Sequence, residues 1–148
     1  HVRLVCGRFW GKKGPVEGIA ADPTYLDVSV PPGKRKSLPV ELGRHAFAYV
    51  FGGSGKFCNA SEPLSVPTEG VGWWPHTTPP AEAGNRSLVL FDTGDEVSVE
   101  GGENGLRFLL VSGRPLQEPV AWYGPIVMNT QAELRTAFED LDRRTFLK

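Results

Sequence analysis

The chain has 148 residues, with 16 Lys and Arg against 17 Asp and Glu, for a formal net charge of -1. That length suits one domain able to bury a sizeable core, and the charge balance offers no handle for direct nucleic-acid binding. The longest apolar runs, such as Phe108-Leu109-Leu110-Val111, fall far short of the ~20 residues a membrane span needs, so no membrane partner is expected.

Taken in order, Val2 to Phe9 alternates loosely and predicts an opening strand, stopped by Gly11-Lys12-Lys13-Gly14-Pro15. Tyr25 to Val30 alternates strictly, which puts Leu26, Val28 and Val30 on one face and Tyr25, Asp27 and Ser29 on the other, until Pro31-Pro32-Gly33 ends the strand. The basic run Gly33-Lys34-Arg35-Lys36 is expected to be a solvated turn. Ala46 to Phe51 is apolar on both faces, as suits a strand with one face in a core and the other covered, and Gly52-Gly53 closes it.

From about 52 to 85 the composition turns to Pro, Gly, Ser and Thr without periodicity, which predicts a long loop. Within it, Trp73 and Trp74 either staple the loop to the fold or form a flap over a partner or pocket. Three strands follow, Ser87 to Phe91, Glu96 to Val99 and Leu106 to Ser112, separated by Thr93-Gly94-Asp95 and by Gly101-Gly102-Glu103-Asn104-Gly105. Short strands with glycine-rich turns indicate an antiparallel barrel or sandwich. A helix over about 131–144 closes the chain: Thr130 and Glu133 form a capping box, and Leu134, Ala137, Phe138 and Leu141 make one apolar stripe expected to pack on the barrel. No internal repeat or second domain is visible, so residues 1–148 are expected to form a single domain, and the start at His1 suggests a piece of a longer protein.

Catalytic constellations are not evident. Ser54 in Gly52-Gly53-Ser54-Gly55 lacks the strand-turn-helix setting of a nucleophile elbow, and the carboxylates Asp95 and Glu96 point to opposite faces. Cys6 and Cys58 have neither a sequence-visible base partner nor the spacings of a disulfide framework, and a reduced intracellular setting is expected, which the family resemblance given below narrows to cytoplasmic and/or nuclear. The only histidines are His1, His45 and His76, too few and too scattered for a facial triad.

The run Pro119-Val120-Ala121-Trp122-Tyr123-Gly124-Pro125-Ile126-Val127-Met128-Asn129-Thr130 resembles the carboxy-terminal signature of the pirin family, with Ile126 in place of the usual Phe. The likeness extends through Val2 to Gly14, Thr24 to Val28, Pro32-Gly33, Ala46 to Val50 and Asp92 to Arg144. It implies the second barrel of a two-barrel cupin, a mainly all-β, single cupin-type antiparallel β-barrel or jelly roll with one carboxy-terminal α-helix. In the family, iron is held by the first barrel through His-x-His and Glu ligands, and linked activities are transcription-factor cofactor and oxidation of flavonols such as quercetin. Laid on this chain, the His-x-His positions fall on Leu38 and Val40, the Glu position near Arg44 or His45, and the second-motif His within Gly101 to Leu106, which has none. No metal, cofactor or catalytic residue is therefore expected here. The expected partners are an amino-terminal cupin barrel of the parent and a transcription factor, and the alternative is half of a quercetin 2,3-dioxygenase-type enzyme. Trp122, Tyr123 and Met128 are candidate domain-interface residues, with burial under the helix as the plainer alternative, and Phe47, Tyr49 and Phe108 would line any pocket inside the barrel.

Overall fold

The computed structural model describes residues 1–16, 18–58, 66–67 and 82–147. Two compact units are resolved, His1–Pro115 and Leu116–Lys148, each with its own apolar core.

The first unit is an antiparallel sheet in which β1 (Val2–Cys6), β4 (Thr24–Val30), β10 (Glu96–Gly113), β6 (His45–Cys58), β9 (Ser87–Leu90) and β7 (Val66–Pro67) lie in that order. Two further strands, β5 (Arg35–Pro39) and β8 (Ala83–Gly84), pair with β10 and β6 respectively. The predicted opening strand Val2 to Phe9 is divided at Gly7, and its last two residues, β2 (Arg8–Phe9), form a small hairpin with β3 (Lys12–Lys13), within the stretch predicted as a stop. The strict alternation of β4 is realised: Leu26, Val28 and Val30 are buried, and they face a core that also holds Leu38, Ala48, Val50, Val89, Val99, Phe108 and Leu110. Phe57 ties this core together, meeting Phe108 and Phe91 edge-on at 5.2 and 5.5 Å between ring centres.

Two strands run on through glycines that sequence reasoning takes as stops. Gly52-Gly53 does not end β6, and Gly101 to Gly105 does not divide β10; instead the ladder between them shifts register from Gly101↔Gly55 to Leu106↔Gly53. Gly53 and Gly105 both have positive φ, +68° and +74°, and the Gly105 carbonyl sits where a Cβ on Gly53 would be. These glycines thus build a bulge that bends two long strands around the core. Of the loop expected over about 52–85, Gly52 to Cys58 is instead strand β6, and β7 and β8 also fall within it; Trp73, Trp74 and His76 lie outside the described residues.

The second unit is a hairpin, β11 (Ala121–Tyr123) and β12 (Ile126–Met128), followed by α1 (Gln131–Asp142). Gly124, at φ +54°, and Pro125 make the turn. Thr130 caps the helix in a complete capping box with Glu133. The stripe buries Leu134 and Ala137 against Ala121 and Ile126, with Phe138 half-buried beside them, while Leu141 stays exposed. Among the described residues, no helix is long and apolar enough to cross a membrane.

Candidate functional site

In a cupin the place to look first is the barrel interior at the ligand positions. Here Leu38 is completely buried on β5, opposite Val97, and Val40 packs against the same core while its N–H donates to the Asp95 carbonyl at 2.8 Å. Both side chains are hydrocarbon and have no lone pair to offer a cation. His45 is exposed at the start of β6, and Arg44 turns its guanidinium to Asp22 and Glu41. Among the described residues, no group of three or more His, Cys, Asp or Glu is placed to hold a metal ion. The iron implied by the family resemblance does not fit this donor set.

The residues expected to line an interior pocket do not share a face. Phe108 is fully buried opposite Val50, whereas Phe47 and Tyr49 pair with Val111 and Leu109 on the outer side, where Phe47 keeps 37% of its surface exposed. The cause is period-two alternation: Ala48 and Val50 take the inward positions of β6, so their aromatic neighbours must point out. The interior is packed with Phe108, Leu26, Leu38 and branched valines. On that outer face Arg107 forks onto Asp27, with Nε to Oδ1 at 3.1 Å and Nη2 to Oδ2 at 2.7 Å, and stacks over Phe51.

The candidate interface residues differ in their surroundings. Trp122 is 71% exposed, stands opposite the exposed Val127, and donates Nε1 to the Gly124 carbonyl at 2.7 Å. Tyr123 is equally exposed but lays its ring edge-on against Phe138, 5.5 Å between centres, and Met128 packs half-buried on the core of the second unit. The rest of the signature run holds this hairpin shut: Asn129 Nδ2 donates to Glu118 Oε2 at 2.8 Å and to the Pro119 carbonyl at 3.2 Å.

Sequence reasoning missed the polar cluster around Arg44. Its side chain is only 6% exposed, and the guanidinium donates to Glu41 Oε2 at 2.7 Å, to Asp22 Oδ2 at 2.9 Å, and also to the main-chain carbonyl of Asp22. The Arg44 hydrogen bond, reinforced by its charge, holds the Asp22 carboxyl below its ordinary range. The register explains why these groups meet: Thr24 opens β4, His45 opens β6, and β10 ends at Gly113, with Ser112 paired to Thr24 and Gly113 to His45. Residues just outside those strand ends therefore converge although they are far apart in sequence.

Comparison with known proteins completes the description. A family model for the pirin C-terminal cupin domain matches residues 25–147. The chain is 35% identical over 146 residues to a pirin-like protein of Arabidopsis thaliana, covering 96% of this chain and 42% of that one. It is 31% identical over 143 residues to a Pseudomonas aeruginosa protein provisionally named as a quercetin 2,3-dioxygenase, covering 94% of this chain and 44% of that one. A crystal structure of quercetin 2,3-dioxygenase from Acinetobacter baumannii superposes with a TM-score of 0.75 at 24% identity, covering 99% of this chain and 43% of that one, and shares the fold. The chain thus spans less than half the length of the curated relatives it matches.

Proposed function

The chain belongs to the pirin family, as its carboxy-terminal cupin domain, and from that premise we propose that it is a metal-free second barrel with a structural and interactive role. In this reading it supports an iron-bearing first barrel supplied elsewhere in the parent protein, which acts in the cytoplasm or nucleus as an iron-dependent cofactor of a transcription factor. The observation that carries it is the full burial of Leu38 in the apolar core, with Val40 half-buried against it, at the positions where a cupin would place its His-x-His ligands. The exposed Trp122 and Val127 pair supports the interactive part, since large apolar groups left at a surface mark places where a partner excludes water.

A second reading is that the whole protein oxidises a flavonol, with this barrel shaping or covering the site. The name given to the Pseudomonas aeruginosa relative favours it. Quercetin consumption and metal content, measured on this chain and on the longer parent, test both readings. The proposal expects neither activity nor stoichiometric metal in the 148-residue chain. Stoichiometric iron, nickel or copper in the tag-free chain overturns it, and quercetin turnover by the parent alone favours the enzyme.

A further inference from the structure

The strand ends that gather around Arg44 enclose a cleft of about 310 Å³ lined by Arg8, Asp22, Thr24, Glu41, Arg44 and Arg114. A second cavity, of about 140 Å³, shares Arg8 and Asp22 with it and adds Lys13 to the lining. Among the described residues, the larger cleft presents Arg8, Arg44 and Arg114 against Asp22 and Glu41, an excess of positive charge in a chain whose net charge is -1.

The two carboxylates are already engaged. Arg44 binds both, and its own donors are used on them and on the Asp22 carbonyl. Arg114 makes an ion pair with Asp22 at 3.6 Å, longer than a hydrogen bond, and the Arg8 side chain makes no hydrogen bond or ion pair among the described residues. Two guanidinium forks therefore face the cleft with donors to spare. Its floor is also held in a costly backbone shape: Ala21 and Asp22 both have positive φ, +66° and +44°, although neither is glycine. Arg44 grips the Asp22 carbonyl, and the Arg114 N–H donates to the Ala21 carbonyl at 2.8 Å, so two of the arginines fix the turn that carries Asp22. Strained turns held this way by surrounding contacts are concentrated at ligand clamps.

We propose that this cleft binds a small, multiply charged oxyanion, a phosphate or carboxylate group on a small molecule, between the forks of Arg8 and Arg114. Guanidinium presents parallel donors that match either group, and the pre-paired Arg44 sets the geometry without competing for the anion. The site lies wholly within His1–Pro115 and owes nothing to the metal positions of the barrel.

Thermal-shift and calorimetric titrations with inorganic phosphate and with citrate, each against sodium chloride at matched ionic strength, test it on the whole chain. Binding above the chloride control is expected for at least one probe. Phosphate acting alone assigns a phosphorylated ligand, and citrate acting alone a polycarboxylate. The double variant Arg8→Gln and Arg114→Gln leaves the Arg44 pairs intact and is expected to weaken binding roughly tenfold or more, because each lost charge-assisted contact counts. No effect of either anion beyond chloride, or equal binding by a folded double variant, overturns the proposal.

Discussion

Arg44 holds Asp22 at both ends, donating Nη2 to its carboxylate at 2.9 Å and Nη1 to its main-chain carbonyl. That contact, with the forks Arg107–Asp27 and Arg35–Glu100, sets the acid limb of stability. Hydrogen bonds from the arginines hold the carboxyls of Asp22, Asp27 and Glu100 below their ordinary values of 3.8, 3.8 and 4.5. A folded pKa below the unfolded one means that the unfolded chain takes up protons first as pH falls. The stabilisation is therefore fully present above the unfolded values and is lost as pH drops through the folded ones. The melting temperature should stay flat from neutrality to about pH 5 and fall below about pH 4. Arg44→Ala should cost about 1–2 kcal/mol at neutral pH, through the lost packing of a side chain only 6% exposed, and flatten part of the acid slope. Calorimetric melts across pH check both, and an unchanged acid limb in the variant counts against the Asp22 contact.

The inner and outer faces of the large sheet should answer differently to truncation. Phe108→Ala removes a fully buried ring that meets Phe57 edge-on, and should cost about 3–5 kcal/mol; Leu38→Ala should cost about 2–5 kcal/mol. Phe47→Ser, on the outer face, should cost less than about 1 kcal/mol. Urea unfolding of the three variants decides, and a loss at Phe47 as large as at Phe108 would place Phe47 inside.

This contrast also shows where the sequence was readable. The strand at Thr24–Val30 could be phased because only one of its faces is apolar, and burial of Leu26, Val28 and Val30 followed. Ala46 to Phe51 is apolar on both faces, so alternation carries no phase there, and size misleads: the interior takes Ala48 and Val50 because Phe108, Leu26 and Leu38 already fill it. Gly53 and Gly105 were legible as breaks in pattern but not as partners, since a bulge between facing glycines depends on a pairing remote in sequence. Three-residue strands such as Ala121–Tyr123 and Ile126–Met128 are too short to show a period. The Arg8, Arg44 and Arg114 cleft exists only through the register of three strand ends.

The helix start is a local feature and should fail locally. The Thr130 hydroxyl accepts from the Glu133 N–H at 3.2 Å, and the Thr130 N–H donates to Glu133 Oε2 at 2.9 Å. Thr130→Ala should cost about 1 kcal/mol, which corresponds to about fivefold faster amide exchange in the first turn of α1 where exchange reports local opening. Amides of Leu26, Val50 and Phe108, in the core of the other unit, should keep their protection. Equal acceleration throughout would show that the two units open together.

Trp122 and Val127 stand opposite each other on the hairpin, 71% and 60% exposed, with no role in the core of Ala121, Ile126, Leu134 and Ala137. If the parent's first barrel covers this pair, as the proposed interactive role requires, the same substitution must read differently in two contexts. Trp122→Ser removes an indole whose only hydrogen bond among the described residues runs to Gly124 in its own turn, so the 148-residue chain should lose no more than about 1 kcal/mol. In the full-length protein it removes an aromatic anchor from a water-excluded junction, and losses of about 2 kcal/mol or more are typical there. Denaturation of both proteins, each with and without the substitution, separates the cases: the full-length protein should lose substantially more than the isolated chain. Equal small losses would leave the pair facing solvent in the parent and remove Trp122 from any junction between the barrels.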